Sequence, residues 1–155
     1  MSNDYQREGS LPMRVNDQDA NRLQSDALID PSRIVFVGQR RDRSSVSVDV
    51  VVDGARRALP LRLEIRNHSP TGFEWGYPGS GPAQLALAIC AEMIGPDGAE
   101  RVYQQVKEKL LVPIAANDWT LCGNDVFAAI VAASTAGDRD RQALKERATG
   151  RQAKE

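Results

Sequence analysis

Histidine occurs once in this chain of 155 residues and cysteine twice, and each scarcity removes a class of explanation. Without a Cys-x-x-Cys pair or a group of histidines, a structural zinc site cannot be assembled from this sequence. Cys90 falls in an apolar run and Cys122 beside a glycine, so no disulfide framework is expected either. A chain of this length buries roughly 68–70% of its unfolded surface on folding and needs neither support. Long apolar runs are also missing: none approaches the ~20 residues that span a bilayer. The stretch from Met1 to Val15 has neither the basic start nor the apolar centre of a secretory signal. A single globular domain in the cytoplasm, without a membrane partner, is the expectation.

Net charge is nearly absent, with 20 basic and 21 acidic residues summing to −1. Residues 1–31 carry six acids against three arginines, residues 32–137 balance, and residues 138–155 are mildly basic. Neither end resembles an arm for a polyanion. Residues 33–66 hold eight arginines against Asp42, Asp49, Asp53 and Glu64, a moderate basic patch at most.

The polar residues 1–31 contain isolated apolar side chains at no regular period, so ordering them would bury too little to offset the lost entropy. They read as a flexible leader. The alternating charges of 138–155 suit a charged tail, either a fraying helix or disordered chain. Between these ends, residues 32–137 form the domain. Its first half has strand character. Ile34-Val35-Phe36-Val37 is a β-branched run, and Val46, Val48, Val50 and Val52 alternate with polar residues, as do Leu59, Leu61, Leu63 and Ile65. Asp53-Gly54 between the last two runs supplies the positive φ angles of a two-residue hairpin. Pairing Val52 with Ala55 then sets Val48 opposite Leu59 and Val46 opposite Leu61, with Pro60 at an edge or bulge.

The second half changes period. Leu85, Ala88, Ile89 and Met93 mark one amphipathic helix over Pro82–Ile94, and Val102, Tyr103, Val106, Leu110 and Ile114 mark another over Ala99–Ile114. Gly95-Pro96-Asp97-Gly98 separates them, and Pro113 ends or kinks the second. A third helix starts at Gly123 or Asn124 and stops near Gly137. The predicted fold is α+β: an antiparallel sheet of about three strands packed against about three helices.

Segment 73–85 concentrates three aromatics, three glycines and two prolines. A Gly-rich loop feeding a helix exposes unpaired N–H groups suited to an anion, and Trp75 and Tyr77 offer faces for stacking on a base. Glu74, Trp75, Tyr77, Gly79, Ser80, Gly81 and Gln84 are therefore the candidate ligand-binding residues. Helix capping competes with that explanation: Gly81 as N-cap, Pro82 at the first helical position and Gln84 reaching back to the Gly81 N–H make a sound helix start. The loop also lacks the lysine of a phosphate-binding loop and the third glycine of a dinucleotide fold. Pro78 and Pro82 stand where a nucleophile elbow around Ser80 would need glycine.

The run His68-Ser69-Pro70-Thr71-Gly72-Phe73-Glu74-Trp75-Gly76-Tyr77, continued by Gly79-Ser80-Gly81-Pro82-Ala83-Gln84-Leu85-Ala86-Leu87-Ala88, resembles the signature of an uncharacterised domain family of bacteria, phages and plasmids. Trp119-Thr120-Leu121 and Asp125-Val126 resemble its closing motif. The resemblance covers about residues 33–131, and Pro78 replaces what is often a small residue. It implies no catalytic residue and only hints at interplay between a mobile element and its host.

Three functions are in play. The first is a non-catalytic binding module that takes a phosphorylated or nucleotide-like ligand, or a host protein, through loop 73–84. The second is an enzyme at the same loop, with His68 and Glu74 as an acid/base pair. The third is a weak nucleic-acid binder using Arg56, Arg57, Arg62 and Arg66, if the strands present them on an uncovered sheet face. The competing reading of that face is a solvated surface of cross-strand ion pairs. His68, Glu74, Asp53 and Asp118 show no metal-ligand spacing, and neither a metal nor another cofactor is expected. Trp119, at a point of chain re-entry, is expected to close the core.

Overall fold

The computed structural model describes residues 29–152, so most of the predicted leader lies outside the described residues. A short 3-10 turn at Pro31–Arg33 leads into β1 (Ile34–Asp42), β2 (Ser45–Val52) and β3 (Ala55–Ala58). After a loop come α1 (Ser80–Ile94) and α2 (Pro96–Val106), which widens into a π turn over Lys107–Leu111. Strand β4 (Asp118–Cys122) and helix α3 (Gly123–Gln152) complete the order. The architecture is α+β, with four antiparallel strands in the order β3-β2-β1-β4.

The hairpin forms as the Asp53-Gly54 dipeptide dictates. Both residues take positive φ, 51° and 82°, and Val52 pairs with Ala55. The ladder then stops early. Leu59 still donates to the Val48 carbonyl at 2.9 Å, but Pro60 has no N–H to continue the pairing, Arg62 turns to φ 63°, and the Ile65 N–H closes on the Arg62 carbonyl at 3.1 Å. The alternation over Leu59–Arg66 is thus a turn and not a strand. Its apolar members Leu61 and Ile65 pack against the core all the same, which is why the sequence carries a strand-like pattern there.

The fourth strand is the segment read as a bare re-entry. β4 lies along β1 with Phe36 opposite Leu121 and Gly38 opposite Trp119. Gly38 is needed here: a Cβ on it would come 2.1 Å from Trp119 Cε2, so only a bare backbone lets the indole lie across β1. The inner sheet face carries Ile34, Phe36, Val48, Val50 and the expected buried Trp119. The Trp119 ring meets Trp75 edge-on, with centroids 5.4 Å apart, a favoured aromatic geometry.

Helix α1 is enclosed on all sides. From Gly81 to Ile94 every residue except Glu92 is buried, so the expected amphipathic stripe is replaced by the all-round apolarity of a central helix. The helix begins earlier than capping chemistry indicates: Gly79 is the N-cap, and its carbonyl accepts from the Ala83 N–H at 3.0 Å. Pro82 therefore sits within the first turn, where the absence of an N–H costs nothing. Gly95, at φ 82°, ends α1, and Pro96 opens α2 directly.

Helix α3 does not stop near Gly137. Val126, Ala129, Ile130 and Ala133 anchor it in the core, and it continues to Gln152, with every residue from Asp138 to Gly150 exposed. A glycine inside a helix costs about 1 kcal/mol relative to alanine. Local contacts oppose that cost, among them Arg141 with Asp138 at 3.0 Å and Gln142 with Glu146 at 3.1 Å.

Candidate functional site

Two polar knots, one fully buried and one half-buried, hold the connection between β3 and α1. The first is Gln84, which is fully buried and uses its whole amide. Its Oε1 accepts from the backbone N–H groups of His68 and Ser69 at 2.7 and 3.1 Å. Its Nε2 donates to the carbonyls of Leu61 and Arg66 at 2.6 and 3.1 Å. Gln84 therefore neither caps its own helix nor faces a ligand; it pins the 61–69 loop onto α1 by replacing the ladder bonds that the broken strand cannot make.

The second knot centres on Arg40, at the outer end of β1. Its Nη2 donates to Glu74 Oε2 at 2.6 Å and to the Trp75 carbonyl at 3.1 Å, and its guanidinium lies 4.3 Å from the centre of the Trp75 ring. Trp75 is itself only 1% exposed, and its Nε1 donates to the Ala116 carbonyl at 2.9 Å. The stacking role expected of Trp75 does not fit this burial: its ring is committed to Arg40 and Trp119. Sequence reasoning missed Arg40, because no local signal separates it from the other arginines of the turn.

Beside this knot opens a cleft of about 460 Å³, lined by Arg43 and Ser44 from the β1–β2 turn, by Val46 of β2 and by Ser69, Thr71, Gly72, Phe73, Glu74, Tyr77, Ser80 and Gly81. Of the candidate ligand-binding residues, the structure brings Glu74, Tyr77, Ser80 and Gly81 to this cleft. Trp75, Gly79 and Gln84 do not line it. Tyr77 is 46% exposed and accounts for Gly79, where a Cβ would meet its ring at 2.3 Å, whereas Glu74 accounts for Gly81, where a Cβ would meet Glu74 Cβ at 2.6 Å. The α1 N-terminus contributes little beyond the Ser80 and Gly81 N–H groups, because Pro82 has none and the Ala83 N–H is bonded.

Arg43 supplies the charge. The turn that carries it is shaped by Asp42, whose carboxylate accepts from both the backbone and the hydroxyl of Ser44 at 2.8 and 2.7 Å. Those two bonds hold the Asp42 carboxyl below its usual range. Among the described residues Arg43 makes no ion pair, whereas the arginines singled out for nucleic acid are all engaged. Arg56 pairs with Asp49 and Arg57 with Glu92, both at 2.6 Å. Arg62 meets Glu64 at 3.4 Å and Arg66 meets Glu100 at 3.5 Å. Arg62 and Arg66 also lie in the turn after β3, so the four arginines share no strand face.

His68 and Glu74, the candidate acid/base residues, are each bonded to a different partner. His68 Nε2 lies 2.8 Å from the Tyr103 hydroxyl, while Glu74 is tied to Arg40. Burial, followed by the nearby charges of Arg66 and Lys107, lowers the imidazole pKa. Among the described residues no group of three His, Cys, Asp or Glu side chains is placed to hold a metal ion, and no helix is long and apolar enough to cross a membrane.

Comparison with known proteins finds no match among curated proteins or among solved structures. A family model does match, over residues 36–133, from the second residue of the inner sheet face to the last buried turn of α3. The chain belongs to DUF6166, a family of unknown function.

Proposed function

We propose that this chain is a small non-catalytic binding module whose cleft beside the β1–β2 turn takes a small phosphorylated, nucleotide-like ligand. One observation carries the reading: Arg43 lines a cleft of about 460 Å³ with no carboxylate partner among the described residues. Small-molecule sites commonly occupy roughly 300–1,000 Å³, and a guanidinium fork without a partner matches two phosphate oxygens at once. Ser44, Thr71 and Ser80 add hydroxyls around it. Binding rather than turnover is favoured because His68, the single histidine, lies outside the cleft lining with its Nε2 2.8 Å from the Tyr103 hydroxyl, which leaves Ser80 without a histidine base. A mobile-element or phage-related origin rests on the resemblance of the 68–88 motif.

The test is native mass spectrometry of the purified chain beside the same sample denatured, followed by titration with nucleoside monophosphates. Arg43→Ala and Ser80→Trp should each abolish binding while leaving the unfolding midpoint unchanged. Binding that survives both substitutions refutes the assignment of the cleft.

A further inference from the structure

Resting on the nucleotide reading just given, we infer that Glu74 is the residue by which the cleft chooses among nucleotides, and that the base it takes is guanine. The cleft walls divide the work. The β1–β2 turn supplies Arg43, and the 69–81 segment supplies Glu74 and Tyr77, so a phosphate and a base are met by different elements. Tyr77, 46% exposed and laid against Gly79 and Gly81, presents an aromatic ring on the base side, and such rings stack on any base. Choice among bases must come from a hydrogen-bonding group, and the carboxylate in the cleft is that of Glu74.

The Glu74 carboxylate is held ready. Arg40 occupies Oε2 at 2.6 Å and is itself fixed by the Trp75 carbonyl and the Trp75 ring. Little side-chain entropy remains to be lost on binding. Arg40 also neutralises the charge that would otherwise repel a phosphorylated ligand. An ionised carboxylate only accepts, and its two oxygens have about four lone-pair directions. Guanine matches that acceptor, because its ring N1–H and 2-amino group are adjacent donors. Adenine and cytosine set one amino group beside an acceptor nitrogen, and uracil flanks its single N–H with two carbonyls, so each places a lone pair against the carboxylate.

Isothermal titration of the full chain with GMP, IMP, AMP, CMP and UMP tests this. GMP should bind most tightly. IMP, which lacks only the 2-amino group, should be weaker by at least about tenfold, the usual cost of a lost charge-assisted hydrogen bond; this arm needs no variant. Glu74→Gln should bring GMP and AMP within about threefold of one another. Equal binding of all five nucleotides, with loss in Arg43→Ala, overturns the guanine assignment and leaves the binding-module reading standing. Absence of binding by every nucleotide overturns both.

Discussion

Replacing Gln84 by alanine should cost this protein about 4 kcal/mol. The side chain is fully buried and makes four hydrogen bonds, to His68, Ser69, Leu61 and Arg66. Each is worth about 0.5–1.5 kcal/mol net, and a buried group left unpaired costs about 1–3 kcal/mol. The four backbone partners belong to a loop that is partly exposed, so some regain water, and the total settles near the sum of the net bond values. Urea denaturation of the variant beside the wild type measures it directly. Gln84→Glu is the sharper companion. The carboxylate still accepts from His68 and Ser69 but turns an oxygen toward the Leu61 and Arg66 carbonyls. Its protonated form, which can donate, is favoured in the folded state, so the folded pKa lies above the unfolded value. Stability should therefore be highest in acid and fall as pH rises above the unfolded pKa near 4.3. A loss under about 1 kcal/mol in Gln84→Ala, with hydrogen exchange at His68 and Ser69 unchanged, would refute the claim that Gln84 holds the loop.

Other consequences follow from single residues. Trp119→Ala should destabilise by about 3–5 kcal/mol, since the indole is 92% buried by its 8% exposure and packs on Gly38 and Trp75; a near-neutral unfolding midpoint would contradict that. Gly38→Ala should displace the same indole and broaden the β4 amide signals in NMR spectra. The single histidine gives an unambiguous NMR titration, and its midpoint should fall below the usual 6.5 because burial and the Arg66 and Lys107 charges disfavour the cation. Protein stability should correspondingly be lost as pH falls from 6.5 toward that lowered midpoint. Among the described cysteines, Cys122 is exposed and Cys90 buried, and burial raises the Cys90 thiol pKa. A thiol reagent should label Cys122 in the native protein and both cysteines after unfolding.

The candidate site was partly legible. Its place along the chain followed from the density of glycine and aromatics in 73–85, and Glu74, Tyr77, Ser80 and Gly81 do reach the cleft. The roles within the segment were not legible, because Trp75 and Tyr77 carry the same local signal and only the surrounding structure separates them. Trp75 is covered by Arg40 and Trp119, whose positions depend on β1 and β4 coming together. Arg43 was one of several arginines in the sequence and stands out only once Arg56, Arg57, Arg62 and Arg66 are seen to be paired.

What the sequence by itself determined was local. Asp53-Gly54 set the hairpin and its register, since this dipeptide readily takes the two positive φ angles of a type I′ turn, and Gly95-Pro96 set the break between α1 and α2. Tertiary structure decided what depends on partners far along the chain. Asp118–Cys122 is too short to declare itself a strand and becomes one because β1 offers it a free edge. Leu59–Arg66 has the period of a strand and loses that state because Pro60 cannot pair and the Gln84 amide supplies the hydrogen bonds instead. Backbone polar groups must be satisfied, and which group satisfies them is settled only when distant segments meet.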